Sequence, residues 1–167
     1  MYNKLRNLPP VCLVYSLFNI VTGRLGYSKQ FVGSVLTNKD NEQFTIFRHI
    51  RKKSLNKSGS GVVFIVSFKF SSLSHKVNRI ISKLPMLLIA GFPGFQKKMY
   101  AVNVKNGYWQ GMYQWRSQSD LEAYQKSLVF RMMNKRAVKG SVTTDTFVNI
   151  NLDNFIQEQK NHDTDNN

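Results

Sequence analysis

The sequence predicts an α+β domain over residues 58–156, with strands and helices in the order β-α-β-β-α-β. The first observation is a nearly continuous apolar run at residues 62–70, which is typical of a strand buried on both faces. The second is Asn106-Gly107 between two aromatic-rich runs, a strong hairpin signal because both residues tolerate positive φ. The third is a helix-spaced apolar pattern on each side of that hairpin. Together they predict a ferredoxin-like domain.

Residues 1–57 form a basic extension before this domain. A helix is expected to begin just after Pro10, since proline is tolerated in a first turn. Two β-rich runs, residues 31–37 and 43–50, surround an Asn/Asp-rich turn and predict a hairpin. Residues 51–61 are basic and then Ser/Gly-rich, which is typical of a flexible connector.

The first helix of the domain follows the strand at residues 62–70. A serine such as Ser74 can cap it, because a hydroxyl accepts a hydrogen bond from an unpaired first-turn N–H. Pro85 is expected to kink or end it. The hairpin strands then fall at residues 98–104 and 108–116. The apolar residues expected to face the core from this helix are Val77, Ile80, Ile81 and Leu84.

A second helix is expected to begin at Ser119-Asp120 and to end before Gly140. Residues 142–150 predict the last strand, and the polar residues 157–167 predict a disordered tail. The apolar stripe of the second helix consists of Leu121, Tyr124, Leu128 and Met132.

The strand at residues 108–116 has two chemically different sides. Alternation alone leaves open which side meets the helices. An apolar sheet face left uncovered would be a partner or ligand site. One side presents Trp109, Gly111, Tyr113 and Trp115, and the other presents Tyr108, Gln110, Met112 and Gln114.

Composition narrows the function classes. The chain has 167 residues and a single cysteine, Cys12, so a disulfide scaffold and a cysteine-based zinc site are not expected, and no other metal site is predicted. With its single cysteine, the protein is expected to work in a reducing compartment, the cytoplasm. The net charge of +15 attracts polyanions such as nucleic acid or anionic lipid. The apolar stretch at residues 11–21 is too short to span a bilayer, and packing on the domain or lying on a membrane surface both remain open.

Residues 93–142 contain three distinctive segments, PGFQKKMYAVNVKNGYWQGMYQW, SDLEAYQKSL and KRAVKGSV. In these segments the chain resembles monooxygenase-like proteins of the dimeric α/β-barrel superfamily. The resemblance as a whole extends over roughly residues 60–150. The resemblance implies a homodimer in which two sheets meet face to face. It also implies a hydrophobic, aromatic substrate, oxidised without a tightly bound cofactor. Members that degrade haem make haem the alternative cofactor, and many members have no known reaction.

Several residues are candidates for such a site. His75 and Tyr113 are the candidate acid or base groups, and His75 has alternatives as a haem ligand or an ordinary surface histidine. The candidate substrate-binding residues are Tyr100, Asn103, Trp109, Trp115 and Arg131. Core or interface packing is the structural alternative for the aromatic residues, and turn formation for Asn103.

Two functions therefore stay open at this stage. The first is a small-molecule-binding homodimer, with monooxygenase activity as its specific form. The second is a non-catalytic basic protein that docks on anionic membrane or nucleic acid through residues 1–57. If the anionic partner is a membrane, this second function makes the chain a peripheral membrane protein.

Overall fold

The structure, a computed structural model, describes residues 5–38, 40–53, 59–71 and 73–165, with side chains described to residue 160. Within these ranges the helices are α1 (Pro9–Val21), α2 (His75–Ile81), α3 (Lys83–Ala90), α4 (Gln118–Gln125), α5 (Leu128–Lys135) and α6 (Leu152–Asp165). The strands are β1 (Leu25–Tyr27), β2 (Val35–Thr37), β3 (Gln43–Lys52), β4 (Gly61–Lys69), β5 (Phe95–Val102), β6 (Tyr108–Trp115) and β7 (Thr143–Ile150).

One antiparallel sheet contains all of these strands, in the order β1-β3-β5-β6-β4-β7, with β2 paired to β3. The last four strands in this order, together with α2 to α5, follow the predicted β-α-β-β-α-β plan. The ferredoxin-like α+β fold is therefore confirmed. The N-terminal strands extend the same sheet beyond β5, because β3 pairs with β5 through the register Ile46 to Ala101 and Ile50 to Lys98. The division into residues 1–57 and 58–156 stays a prediction.

Each of the two predicted helices is interrupted by a serine. Ser82 separates α2 from α3, and Ser127 separates α4 from α5. The hydroxyl of Ser127 accepts the N–H of Phe130, so α5 begins with a cap of its own. The hydroxyl of Ser74 caps α2 as predicted. The helix layer consequently consists of short segments.

The sheet face toward the helices is the aromatic side of β6. Trp109, Tyr113 and Trp115 are buried there in one core that includes side chains of α3, α4 and α5. Met112 belongs to a second core on the opposite face. The side of β6 that carries Trp109, Tyr113 and Trp115 is therefore the one that meets the helices, a choice that alternation alone left open.

The opposite face is covered by the chain itself. Leu152, Phe155 and Ile156 of α6 pack in the second core. Residues 157–165, predicted as part of a disordered tail, continue α6 instead, because the apolar spacing of its first turns gives that helix a buried stripe. Homodimerisation through this face stays a prediction, but the expected uncovered face is not found in the described residues. The α6 side chains that fill it face Val63, Ile65, Met99 and Met112.

The predicted inward stripe of the first helix is wrong. Ile80 and Leu84 are 66% and 57% exposed, whereas Asn78 is buried. Polar groups face inward because two arginines need acceptors there. Arg136 donates to Oδ1 of Asn78 at 3.1 Å, and Arg48 donates to Oγ of Ser82 at 2.9 Å. The helix turns to meet these arginines, so its apolar stripe faces outward. The prediction for the apolar stripe of the second helix is correct for half of its residues. Leu121 and Tyr124 are buried, whereas Leu128 and Met132 are exposed.

A buried ion pair anchors α6 to the sheet. Nζ of Lys97 lies 2.8 Å from a carboxylate oxygen of Asp153, and the two side chains are 4% and 14% exposed. The same Nζ donates to Oδ1 of Asn151 at 3.4 Å. Gln114 adds a contact by accepting the N–H of Leu152 at 2.9 Å. These bonds fix where α6 begins.

We expect Lys97→Met to lower the free energy of unfolding by about 3 kcal/mol, because removing one partner leaves the Asp153 carboxylate buried and uncompensated. Urea unfolding followed by circular dichroism measures this. Lys126→Met is the matched control, since its pair with Glu122 is long and exposed, and its cost should stay within about 0.5 kcal/mol. Equal costs for the two variants would contradict the anchoring role.

Candidate ligand-binding site

An apolar groove of about 680 Å³ lies between α2 and α3 on one side and α5 on the other. Its existence follows from the outward stripes of these helices. Three cations, Lys83, Lys135 and Arg136, stand among the lining residues. We call this space the helix groove. Its apolar lining consists of Ile80, Ile81, Leu84, Pro85, Leu87, Leu88, Val129, Met132 and Met133.

A smaller space, the inner cavity, lies beneath the groove against the sheet. Its volume of about 30 Å³ admits a water-sized group. Pro85, Met133 and Arg136 line both spaces, so the inner cavity adjoins the floor of the helix groove. The remaining lining residues are Phe68, Phe70, Ser82, Lys98, Tyr100, Trp109, Gln110, Gly111 and Tyr113.

Lys98 is the chemically distinctive residue of the inner cavity. Its side chain is buried, and its Nζ lies 4.0 Å and 4.2 Å from the ring centroids of Tyr100 and Tyr113. None of the ion pairs between described residues involves it. Burial, with a smaller effect from the charge of Arg48, holds the pKa of Lys98 well below its usual range. A lowered pKa increases the share of the amine that is unprotonated, which is the form able to act as a base or a nucleophile.

Two phenols face this amine. The hydroxyls of Tyr100 and Tyr113 are both buried. That of Tyr100 has no hydrogen-bond partner among the described residues, whereas Tyr113 interacts with Tyr124, whose ring centroid lies 5.7 Å from its own. Burial raises the pKa of each hydroxyl, so both remain protonated at neutral pH and can donate a hydrogen bond. Gly111 leaves room beside them, because a Cβ there would lie 2.9 Å from the Tyr113 ring.

His75 is held away from both spaces by Trp109. The indole N–H of Trp109 donates to Nδ1 of His75 at 3.0 Å, and the two rings are stacked at an interplanar angle of 17°. Because Nδ1 accepts this bond, a neutral His75 carries its proton on Nε2. The histidine therefore orients the indole that lines the inner cavity. Its catalytic role stays a prediction.

Three other predicted residues lie outside the site. Trp115 is stacked on Tyr124 with ring centroids 4.9 Å apart, within the aromatic core. Oδ1 of Asn103 accepts the N–H of Lys105 at 3.0 Å, which shapes the β5–β6 turn. Arg131 is exposed on α5 and lines neither space. Of the predicted set, the structure brings together Tyr100, Trp109 and Tyr113.

Sequence reasoning missed Lys98, although a signal was present. Lys97 and Lys98 are adjacent on β5, and adjacent strand residues point to opposite faces of a sheet. In a central strand covered on both faces, both lysines must be buried. The helix groove could not be predicted in this way. It is lined by the exposed apolar stripes of α2 and α5, and the periodicity of a helix does not show which of its faces points to the core.

Comparison with known proteins places the fold. No protein-family model matches this chain, and no curated protein matches its sequence. A monooxygenase-like protein from Listeria innocua superposes with a TM-score of 0.52 at 10% identity, over 77% of this chain and 92% of that one. A ferredoxin-fold protein from Listeria monocytogenes, related to antibiotic biosynthesis monooxygenases, gives 0.50 at 13% identity, over 81% and 88%. The chain thus has the ferredoxin-like fold of monooxygenase-like proteins, as the sequence resemblance implied.

One structural neighbour corrects the cofactor prediction. The haem-degrading enzyme of Listeria monocytogenes superposes with a TM-score of 0.50 at 14% identity, over 80% of this chain and 92% of that one. The prediction that this protein has no cofactor, with haem only as the alternative, is therefore corrected, because a protein of this fold degrades haem. The reason for the error is that haem leaves no short Cys/His motif to find in the sequence.

We expect Lys98→Met to raise the melting temperature at pH 7, because it removes an amine that burial destabilises in its charged form. The folded pKa lies below the ordinary value of 10.5, so the unfolded chain binds more protons between them and wild-type stability rises with pH there. The advantage of Lys98→Met should therefore shrink toward pH ~10. Thermal unfolding at several pH values measures both effects. The same substitution at the adjacent Lys97 should have the opposite sign, and destabilisation by Lys98→Met would contradict this account.

Proposed function

We propose that the protein binds a flat, hydrophobic small molecule that carries acidic groups, in the helix groove. The observation that carries this proposal is the apolar groove of about 680 Å³ with a cationic rim. A space of this size is typical of ligand sites, which combine an apolar lining with a few polar groups that fix orientation. Water-exposed Ile80 and Leu84 would be covered by such a ligand.

The charges of the groove favour an acid. Lys83, Lys135 and Arg136 line it, and its lining contains no Asp or Glu. The chain as a whole has a net charge of +15, which adds a long-range attraction for anions. Arg136 is already oriented by its bond to Asn78 and by the Phe70 ring, 4.9 Å from its guanidinium carbon, so it is a preformed contact. The two lysines are exposed and free to adapt.

Tetrapyrroles are the first ligand class to consider, because a structural neighbour degrades haem. The lining fits the flat apolar ring, and the three cations fit its carboxylates. The groove lining offers no imidazole, and of its two thioethers Met132 is exposed and able to approach an iron, whereas the sulfur of Met133 accepts a hydrogen bond from the Tyr124 hydroxyl. Bound haem would supply an iron that reacts with oxygen. The chain's own contribution would be to hold the ring and shield one face from water.

Oxygenation of the bound molecule is the more specific proposal, and the amine of Lys98 favours it. In its unprotonated form, the Lys98 amine would take the proton of a bound phenol or quinol whose hydroxyl reaches into the inner cavity. The ammonium and the phenolate that form would pair, which offsets the cost that burial imposes on each charge alone, and the electron-rich anion would then react with oxygen. Tyr100 and Tyr113, which stay protonated, would donate hydrogen bonds to that anion. In this proposal Lys98 takes the role of base that sequence analysis assigned to His75 or Tyr113.

We expect the double variant Lys83→Glu/Lys135→Glu to weaken haemin binding by about tenfold, because two attractive charges at the groove become repulsive. Titration followed by haemin absorbance measures the affinity, and 1-anilinonaphthalene-8-sulfonate fluorescence repeats the test with a metal-free acid. The matched control is Lys29→Glu/Lys105→Glu, which makes the same charge change at exposed positions outside the groove. Equal weakening by both double variants would reduce the effect to net charge and contradict the groove as the site.

We expect 2-naphthol, a phenol that is neutral in water at pH 7, to show its anion absorbance when bound to the wild-type protein. The physical reason is that the proton moves to the Lys98 amine as part of an ion pair: the ammonium stays beside the naphtholate, and Tyr100 and Tyr113 donate hydrogen bonds to that anion, which together offset the low basicity of the buried amine. Lys98→Met should abolish the anion band, and Gly111→Ala should weaken binding because its methyl group would displace the Tyr113 ring that lines the inner cavity. Lys105→Met is the control and should retain the band. Neutral naphthol in every variant would exclude Lys98 as the base.

A further inference from the structure

Helix α1 exposes most of its apolar side chains. It buries only Cys12 and Ser16, although its sequence is PPVCLVYSLFNIV. Val14, Phe18 and Val21 are 65%, 53% and 86% exposed. A helix on the surface of a domain ordinarily turns its apolar stripe inward. Here a second stripe, with the spacing i, i+3, i+4, i+7, faces outward. Its members, which we call the α1 stripe, are Val14, Leu17, Phe18 and Val21.

The stripe is held outward by the fold. Cys12 packs in the same core as Met86 and Ala90 of α3. Gly91 permits this approach, because a Cβ there would overlap the backbone carbonyl of Cys12. Nη1 of Arg6 donates to the carbonyl oxygen of Gly91 at 3.2 Å, which ties the chain before α1 to the same point. With its Cys12 side fixed, α1 presents the stripe as part of the folded surface.

The surroundings of the stripe are cationic. The guanidinium carbon of Arg24 lies 5.9 Å from the Phe18 ring, and that of Arg6 lies over the Tyr15 ring at 3.1 Å. The sequence contains no Asp or Glu before Asp40. Asp120 is close enough to act on the charge of Lys52, but its carboxylate is already paired with Arg116. The face therefore combines exposed apolar area with uncompensated positive charge.

We infer that α1 docks on the surface of an anionic lipid bilayer, with the α1 stripe in the acyl boundary and Arg24, beside Phe18, among the headgroups. Apolar side chains flanked by cations are the chemistry of helices that lie in the interface. With 13 residues α1 is too short to cross the bilayer, and none of the helices in the described ranges is long and apolar enough to do so. An RNA or DNA surface would match the charge but leave the stripe in water.

Docking would also place the helix groove near its source of ligand. One side of α3 contacts α1, and its residues Leu84, Leu87 and Leu88 line the groove. Hydrophobic acids partition into bilayers, so a protein held at the surface meets them at high local concentration. The docking itself does not rest on the proposed ligand function.

The test is co-sedimentation of the full chain with vesicles of phosphatidylcholine and phosphatidylserine in a ratio of about 7:3, against pure phosphatidylcholine. We expect binding to the anionic vesicles that Val14→Ser/Phe18→Ser reduces by about tenfold and Arg24→Glu by about fivefold. The matched control is Val104→Ser/Val148→Ser, which removes exposed apolar side chains outside α1 and should bind like wild type. Unchanged circular dichroism and an unchanged melting temperature in each variant show that the fold is intact.

Insertion has a direct signal. The native tryptophans are buried, so Phe18→Trp adds an exposed reporter whose emission should shift to the blue with anionic vesicles. Three results would overturn the inference. They are no binding to anionic vesicles at low salt, equal loss in the Val104/Val148 control, and a wild-type dimer that Val14→Ser/Phe18→Ser converts to monomer, since a second copy then covers the stripe. Oligonucleotide binding without vesicle binding would likewise overturn it and assign the charge to nucleic acid.

Discussion

The alternation of side chains along the two central strands β5 and β6 determines both faces of the protein. Because successive residues point to opposite sides, Lys97 reaches the core under α6 while Lys98 reaches the inner cavity. The same rule sends Trp109, Gly111 and Tyr113 toward the helices. A shift of one residue in this register would exchange the ion pair that anchors α6 with the amine that the helices cover. The ion pair under α6 and the buried amine under the helices therefore both depend on the same strand register.

The helix layer leaves part of its apolar surface unpacked, and the helix groove is the result. Arg48 and Arg136 take polar acceptors on α2 and at Ser82, which turns the apolar stripe of the helix outward. The groove then forms between this stripe and the exposed part of α5. Buried groups that cost stability, such as the Lys98 amine and the phenol of Tyr100, lie directly beneath it. Buried polar groups that lower stability are common at the functional sites of proteins, which is consistent with the proposed role of the groove.

The order of elements could be predicted from sequence because each depends on local signals, such as Asn106-Gly107 for the hairpin and Ser74 for the cap. Which face of a helix points inward depends on distant partners, and so the stripe from Val77 to Leu84 was misassigned. The helix α6 was missed even though Leu152, Phe155 and Ile156 have helical spacing, since the surrounding polar residues masked it. Lys98 was missed because the burial of a strand lysine depends on what covers the strand.

The serine breaks in the helix layer have a consequence for motion. Each segment from α2 to α5 has only seven or eight residues, well below the length at which an isolated helix holds together in water. The sheet beneath them is continuous and paired along β4, β5 and β6. Local unfolding should therefore begin in the helices and leave the sheet intact, with fast amide hydrogen exchange in α2 and α5 and slow exchange in β6. A layer of this kind can open one helix segment at a time above a sheet that stays folded.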